Sequence, residues 1–256
     1  MGAVFRSVRM TKPDILRGIG AAALVRSLTG RRVVSVERRA KHAVIGLDDG
    51  RRLVIQPRMT GSLLVTTKAA AADPYVALAA RLSTGRHFVY RDVRRLGTVH
   101  LLGAAAWERY TARLGPEPLE PGFTPARLAA LLAGGRLAVK KALMDQRRLA
   151  GLGNIHAAEA LWRAKIHPGR PTRTLELPEW NRLAAAIRRG LAYALAAEDS
   201  EEIAYVEEPG TENPFRVYAR AGERCPRCGT RIRLLRQGGR RTDFCPHCQP
   251  ARRARR

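Results

Sequence analysis

The sequence predicts an α+β protein: an N-terminal β-sandwich domain, a helical domain after it, and a C-terminal β-hairpin clamped by cysteines. Three observations carry this prediction. Residues 31–102 are short apolar or alternating runs separated by turn dipeptides. From Ala104 the apolar period lengthens to that of helices, and all four cysteines of the 256 residues fall between positions 225 and 248. A chain of this length can bury one large core or two small ones.

Taken in order, "RRVVSVERR", "HAVIGL" and "RRLVIQP" read as strands, with Asp49-Gly50 as a hairpin turn. "SLLVTT", "VALAARL" and "HFVYRDV" follow, with Thr84-Gly85 as another turn. A meander this long needs two packed layers, hence a sandwich or flattened barrel over 1–103. "AAAWERYTARL" is helical and "LGPEPLEPGF" is a linker, which together bound a connecting segment at 104–120. In "TPARLAALLAGG", Thr124 is an N-cap, Pro125 sits at N1 and glycines stop the helix. "LAVKKALMDQRRLAG", "GNIHAAEALWRAKI" and "LPEWNRLAAAIRRGLAYALAAE" extend the helical domain over 121–215. The hairpin occupies 216–250 and a basic tail 251–256, and no internal repeat is visible.

The charge balance narrows the partners. Lys and Arg number 47 against 22 Asp and Glu, a net +25 with an isoelectric point near 11.4. Such a surface attracts polyanions, and nucleic acid gains most from it through counterion release. A high-GC genome explains the preference for Arg over Lys but not the net excess. No apolar run is long enough to span a membrane, and "MGAVFRSVRMTKPD" lacks the apolar core of a secretory signal. A cytoplasmic location is therefore expected, where disulfides are disfavoured and cysteines are free for metal.

Cys225, Cys228, Cys245 and Cys248 read C-x2-C-x16-C-x2-C. Each pair sets two thiolates on one tight turn, and two such turns complete a tetrahedron around a single structural Zn²⁺. A redox dithiol is the other reading, but the βαβ pattern that would accompany it is absent. The segment between the pairs suggests a hairpin with Gly238-Gly239 at its tip and Arg236, Arg240 and Arg241 around it. From Ala221 onward there are eleven arginines against two acids, Glu223 and Asp243. This pattern argues for zinc and for a polyanion, but a ribosomal or transcription zinc ribbon would share it. Between two helical segments, "GLGN" at 151–154 forms a tight turn. Free amides at the start of the next helix would suit a phosphate, with Lys140, Lys141, Arg147 and Arg148 near in sequence. A helical hairpin with no ligand is the alternative.

Three separate stretches resemble one family. "LMDQRRLAGLGNIHAAEALWRAKIHPGR" is similar to the helix–two-turn–helix signature of the formamidopyrimidine-DNA glycosylase / endonuclease VIII family. "RRAKHAVIGLDDGRRLVIQPRMTGSLLV" resembles its β-domain, and "VYARAGERCPRCGT" with "FCPHCQ" its zinc finger. The likeness runs from about residue 6 to residue 249, and "LGPEPL" fits as well.

The resemblance implies base-excision repair of duplex DNA by a monomer carrying one Zn²⁺. The damaged nucleotide is flipped out, and both the glycosidic bond and the backbone are cut. Flipping exposes C1′ to an amine nucleophile, and the resulting Schiff base is the electron sink for elimination. Residue by residue, Lys41 falls on the lysine of phosphate contact and proton transfer in β-elimination, and Arg240 on the arginine of phosphate binding and δ-elimination. Asn154 falls on the asparagine that grips phosphates beside the lesion, and Lys140 on a basic DNA-contact position. Met59, Arg94 and Leu96 fall on the set that fills the gap left by the flipped base. The third of these is usually Phe, but Leu also serves as an apolar wedge. Formamidopyrimidine and 8-oxoguanine are the expected substrates, because the "KALMDQ…GLGN" and zinc pieces resemble the formamidopyrimidine branch.

Two departures accompany the resemblance. The family's chain begins with Pro-Glu, the amine nucleophile and the acid–base group, and this sequence begins MGAVFRS. A start site set too far downstream is one expectation; a catalytically silent homologue that still binds damaged DNA is the other. A zinc-ribbon RNA-binding protein is a third and weaker reading. Tyr75 and Ala77 also stand where many members have histidines. The acidic stretch 201–215 occupies the place where members cap the flipped base.

Overall fold

A computed structural model describes residues 1–69, 73–197 and 212–251, which form two compact units, Met1–Arg113 and Leu114–Arg256. The acidic stretch read at 201–215 lies outside the described residues apart from 212–215, and the basic tail apart from Ala251.

The first unit is a β-sandwich. One sheet has the order β1-β6-β7-β5, formed by Phe5–Met10, Val76–Leu82, His87–Asp92 and Gly61–Thr66. The other has the order β2-β3-β4-β8, formed by Val33–Arg39, His42–Leu47, Arg52–Gln56 and Thr98–Leu102. Every paired neighbour is antiparallel, and β2–β3, β3–β4 and β6–β7 are consecutive strands joined by tight hairpin turns. Inward positions of both sheets meet in one core, with Phe5, Leu78, Phe88 and Tyr90 from the first and Leu53, Ile55 and Val99 from the second. Two elements lacked a strong sequence signal: β1 and the short helix α1, Ala21–Leu28, which buries Leu24 and Leu28 against this core. The turns are where the sequence puts them, Gly50 and Gly85 both taking φ 80°. A second helix, α2 (Ala104–Thr111), follows β8.

The second unit joins helices and the hairpin in one body. Its helices are α3 (Pro125–Leu132), α4 (Val139–Leu143), α5 (Asn154–Ala164) and α6 (Leu177–Ala197), and its strands are β9 (Arg233–Gln237) and β10 (Arg240–Phe244). Thr124 caps α3, its side chain accepting from the Arg127 amide at 3.1 Å. The helix expected over "LAVKKALMDQRRLAG" is much shorter, ending at Leu143. Side chains compete with the helix beyond that point: the Asp145 carboxylate accepts from the Arg147 amide, and the Gln146 amide donates to the carbonyls of Met144 and Leu152. One apolar cluster unites α3, α5 and α6. A smaller one packs Ala158 and Trp162 of α5 against Val217, Tyr218, Ile232 and three of the cysteines.

Candidate nucleic-acid interface

In the sandwich unit, Lys41 stands exposed on the two-residue turn between β2 and β3, flanked by the pair Arg39 and His42. Ala40, its companion in that turn, has φ 54°. Met59 lies in the β4–β5 loop and is 60% exposed; Arg94 and Leu96 lie in the β7–β8 loop, also exposed. Sequence spacing alone does not bring these two loops together. A buried carboxylate does. Asp92 accepts from the Thr60 hydroxyl at 2.9 Å, from the Gly97 amide at 2.8 Å and from the Tyr90 hydroxyl at 3.1 Å. Thr60 in turn accepts from the Arg94 amide at 3.1 Å, so one network holds Met59 beside Arg94 and Leu96. Gly97 is required by contact: a Cβ there would lie 1.9 Å from the Tyr90 hydroxyl oxygen. Two non-glycine residues next to these loops, Arg58 and Arg95, take left-handed φ values of 57° and 50°. Such angles persist only where the surroundings impose them.

In the second unit the "GLGN" turn is held by Gln146, whose side chain accepts from the Gly151 amide at 2.9 Å while donating to Leu152. Gly151 has φ 88°, the left-handed value that the turn demands. Asn154 begins α5, and its Oδ1 is buried with no hydrogen-bond partner among the described residues. An orphan polar atom at the first turn of a helix marks a place where a ligand or water belongs.

The hairpin tip is Gly238-Gly239, both at positive φ, joining Gln237 to Arg240 as a two-residue turn of the kind that matches strand twist. Arg240 is exposed just past it. Lys140 departs from the expected surface contact. It is 1% exposed, and its Nζ donates to the Arg241 carbonyl at 2.8 Å and the Thr242 hydroxyl at 2.7 Å. Burial pulls its pKa down to about 8, against the attraction of Asp243 and with Arg240 pushing the same way as burial. Lys140 therefore holds β10 onto α4, next to the strand position that carries Arg240. Lys141, Arg240 and Gln237 line a cleft of about 320 Å³ beside it.

The four cysteine sulfurs lie within 4.8 Å of one another. Cys228 is 3.5 Å from both Cys245 and Cys248, and Cys225 is 4.0 Å from Cys248. A tetrahedral zinc with Zn–S bonds of about 2.3 Å requires sulfurs about 3.8 Å apart, so the set fits one Zn²⁺ and leaves no open position. Hydrogen bonding to Thr230 brings the Cys228 thiol down to about 6, whereas burial, with the neighbouring sulfurs, pushes Cys248 up to about 12. The cysteine cluster is docked onto α5 and the residues just after it by polar contacts: Gln249 donates to the Ile166 carbonyl at 2.8 Å and accepts from the Cys245 amide at 3.0 Å. Arg227 lies over the Trp162 ring at 4.1 Å and donates to its carbonyl. Glu159 of α5 accepts from the amides of Arg216, Val217 and Tyr218, fixing the entry to the finger. The sequence offered no sign of Asp92 or Glu159 as organising residues, since their partners lie in other elements.

A β-sandwich followed by a helical unit with a tight two-glycine turn and a four-cysteine hairpin defines a helix–two-turn–helix architecture with a zinc finger. Three family models cover the chain in order: the formamidopyrimidine-DNA glycosylase N-terminal domain over residues 1–99, the formamidopyrimidine-DNA glycosylase H2TH domain over 114–204, and the zinc finger found in FPG and IleRS over 222–251. The formamidopyrimidine-DNA glycosylase of Thermomicrobium roseum is 41% identical over 243 residues, covering 88% of this chain and 84% of that protein. That of Chloroflexus aggregans is 44% identical over 232 residues, covering 89% and 83%. Among solved structures, a Lactococcus lactis FPG mutant in complex with Fapy-dG-containing DNA matches with a TM-score of 0.88 at 31% identity, covering 98% of this chain and 93% of that one. MutM in complex with carbocyclic 8-oxo-G-containing DNA matches at 0.88 and 30%, with the same coverage. The chain belongs to the formamidopyrimidine-DNA glycosylase family.

Proposed function

We infer that the protein is a base-excision-repair DNA glycosylase with AP lyase activity that removes oxidised purines, formamidopyrimidine and 8-oxoguanine, from duplex DNA. The relatives are named for this activity, and the solved neighbours hold DNA containing Fapy-dG, 8-oxo-G or an abasic site. The silent-homologue alternative finds no support in relatives that all carry the enzyme's name. Among the described residues no helix is long and apolar enough to cross a membrane, and the relatives are bacterial. We place the protein in the bacterial cytoplasm, acting as a monomer on DNA.

The observation that carries the residue roles is the Asp92 network, which gathers an apolar side chain, an arginine and a second apolar side chain on adjoining exposed loops. In this reading Met59 and Leu96 enter the stack as wedges and Arg94 meets the base left without a partner. Lys41 contacts the backbone phosphate at the lesion and moves the proton of β-elimination. Arg240 binds phosphate and serves the δ-elimination, and Asn154 binds a flanking phosphate by donating from its side-chain Nδ2. Lys140 serves by anchoring β10 rather than by touching DNA. The amine nucleophile is assigned to no residue of this sequence. Alternation of wedge and phosphate contacts would let the duplex bend while the damaged nucleotide rotates outward.

The test combines binding and chemistry. The Arg240→Ala and Asn154→Ala double variant should weaken binding to an abasic-site duplex by at least about tenfold and reduce the salt slope, since phosphate contacts release counterions. Unchanged affinity and slope would sink the reading. Borohydride trapping and strand cleavage on 8-oxoguanine duplex then report the chemistry, and tight binding with neither adduct nor cut would restore the silent-homologue alternative.

A further inference from the structure

We propose that His42 and Tyr110 form a buried positioning pair that fixes the β2–β3 turn and so aims Lys41 at the DNA. The inference rests on the reading of Lys41 given above and concerns what holds that side chain in place.

His42 follows Lys41 directly, opens β3 and is 5% exposed. Its Nδ1 lies 3.0 Å from the carbonyl oxygen of Arg39, the last residue of β2. A carbonyl oxygen can only accept, so in the neutral ring Nδ1 carries the proton and Nε2 is bare. Nε2 lies 2.9 Å from the hydroxyl of Tyr110 on α2, which therefore donates to it. One imidazole thus bridges its own turn on one side and a neighbouring helix on the other. With both nitrogens engaged inside the unit, the ring has no free atom for proton exchange with a substrate. Its work is geometric.

The turn needs such a tie. Ala40 takes φ 54°, a value costly for a residue with a Cβ, so the turn that presents Lys41 relaxes unless its flanks are held. Tyr110 is a firm anchor: it stacks on Trp107 with ring planes 13° apart and meets the edges of His42 and His100 at 5.4 and 5.2 Å. Arg52 of β4 lies 5.7 Å over Trp107. The link runs from the Lys41 turn through His42 and Tyr110 to α2, with strands β4 and β8 beside it.

The charged and titratable groups around the pair favour a neutral ring. Burial lowers the pKa of His42, the Arg39 carbonyl opposes it, and the charges of Arg39 and Arg58 add to the lowering. His100 on β8 is itself lowered by burial, with Arg17 and His42 near it, and burial raises Tyr110. Neutral His42 keeps the donor–acceptor order described above.

Tyr110→Phe keeps the ring and removes only the hydroxyl. In the zinc-loaded 256-residue protein this change is expected to weaken binding to a tetrahydrofuran abasic-site duplex by about fivefold, the scale of one neutral hydrogen bond. In a Lys41→Ala background the same change is expected to add no further loss, because it acts through Lys41. Equal losses in both backgrounds would mean a general structural role and would overturn the proposal. So would unchanged binding in Tyr110→Phe where Lys41→Ala weakens it. If Lys41→Ala alone changes nothing, the reading of Lys41 fails by itself. The pair is then judged by amide hydrogen exchange: Lys41 and His42 should exchange faster in Tyr110→Phe while β7 amides keep their protection, and identical exchange at the turn overturns it.

Discussion

The sandwich unit presents Lys41, Met59, Arg94 and Leu96 on turns of a fold closed by apolar side chains, whereas the second unit presents Asn154 and Arg240 on elements tied together by metal and buried polar groups. In the first, the sheets supply most of the stability, and a few polar side chains, Asp92 and His42, set the shapes of loops. In the second, the hairpin around 225–248 has too little apolar surface of its own, and Cys225, Cys245 and Cys248 are themselves part of its core. Docking falls to Glu159, Lys140 and Gln249. The difference teaches that exposed basic residues can be aimed either by trimming the loops of a robust core or by clamping a weak one.

The comparison breaks first at the metal. Removing zinc with a chelator, or by Cys248→Ser, should unfold the hairpin and lower affinity for abasic duplex by roughly a hundredfold, since structural zinc is folding energy for a segment this small. Amide protection of β9 and β10 should vanish while that of β7 survives. Loss of protection in both units together would refute the contrast.

Glu159→Ala should come next. It leaves the amides of Arg216, Val217 and Tyr218 without their acceptor, at a cost of roughly 3 kcal/mol borne by the finger, read as weaker zinc retention and a lower unfolding midpoint. Asp92→Ala in the sandwich should cost roughly 2 kcal/mol by orphaning the Gly97 amide and the Thr60 and Tyr90 hydroxyls. Here zinc retention should be unchanged, and the visible loss should be in unstacking of a fluorescent base analogue opposite the lesion. Gly97→Ala should copy it, through the Tyr90 clash.

The smallest effect is a pH dependence. Burial depresses the folded pKa of Lys140 to about 8, below its ordinary value, so between these two values the unfolded chain binds more protons. Its contribution to stability therefore rises as pH rises through that window and is least below about 8. Lys140→Met should remove this component, so wild-type and variant unfolding curves measured from pH 7 to 10 should differ in slope. Parallel curves would mean that the ammonium is solvated after all.

Much of this was legible from local spacing. The cysteine pairs, the Gly238-Gly239 tip, the Asp49-Gly50 turn and the Thr124 cap each depend on residues a few positions apart, which a linear reading captures. The helix expected across residues 137–151 was not, because Asp145 and Gln146 hydrogen-bond the backbone and end α4 at Leu143. Lys140 looked like a surface cation among others, and nothing near it in sequence shows that residues 241 and 242 will cover it. Asp92 reads as a strand-end acid until Thr60, 32 positions earlier, arrives beside it.

The sequence by itself determined most of the strand and helix pattern, the tetrathiolate zinc site and the polyanion-binding charge, because periodicity, ligand spacing and net charge are properties of the chain. Only the tertiary structure decided which basic groups face outward and which are consumed as anchors. Burial and hydrogen-bond satisfaction are fixed by partners drawn from distant positions, and those partners meet only when the chain has folded.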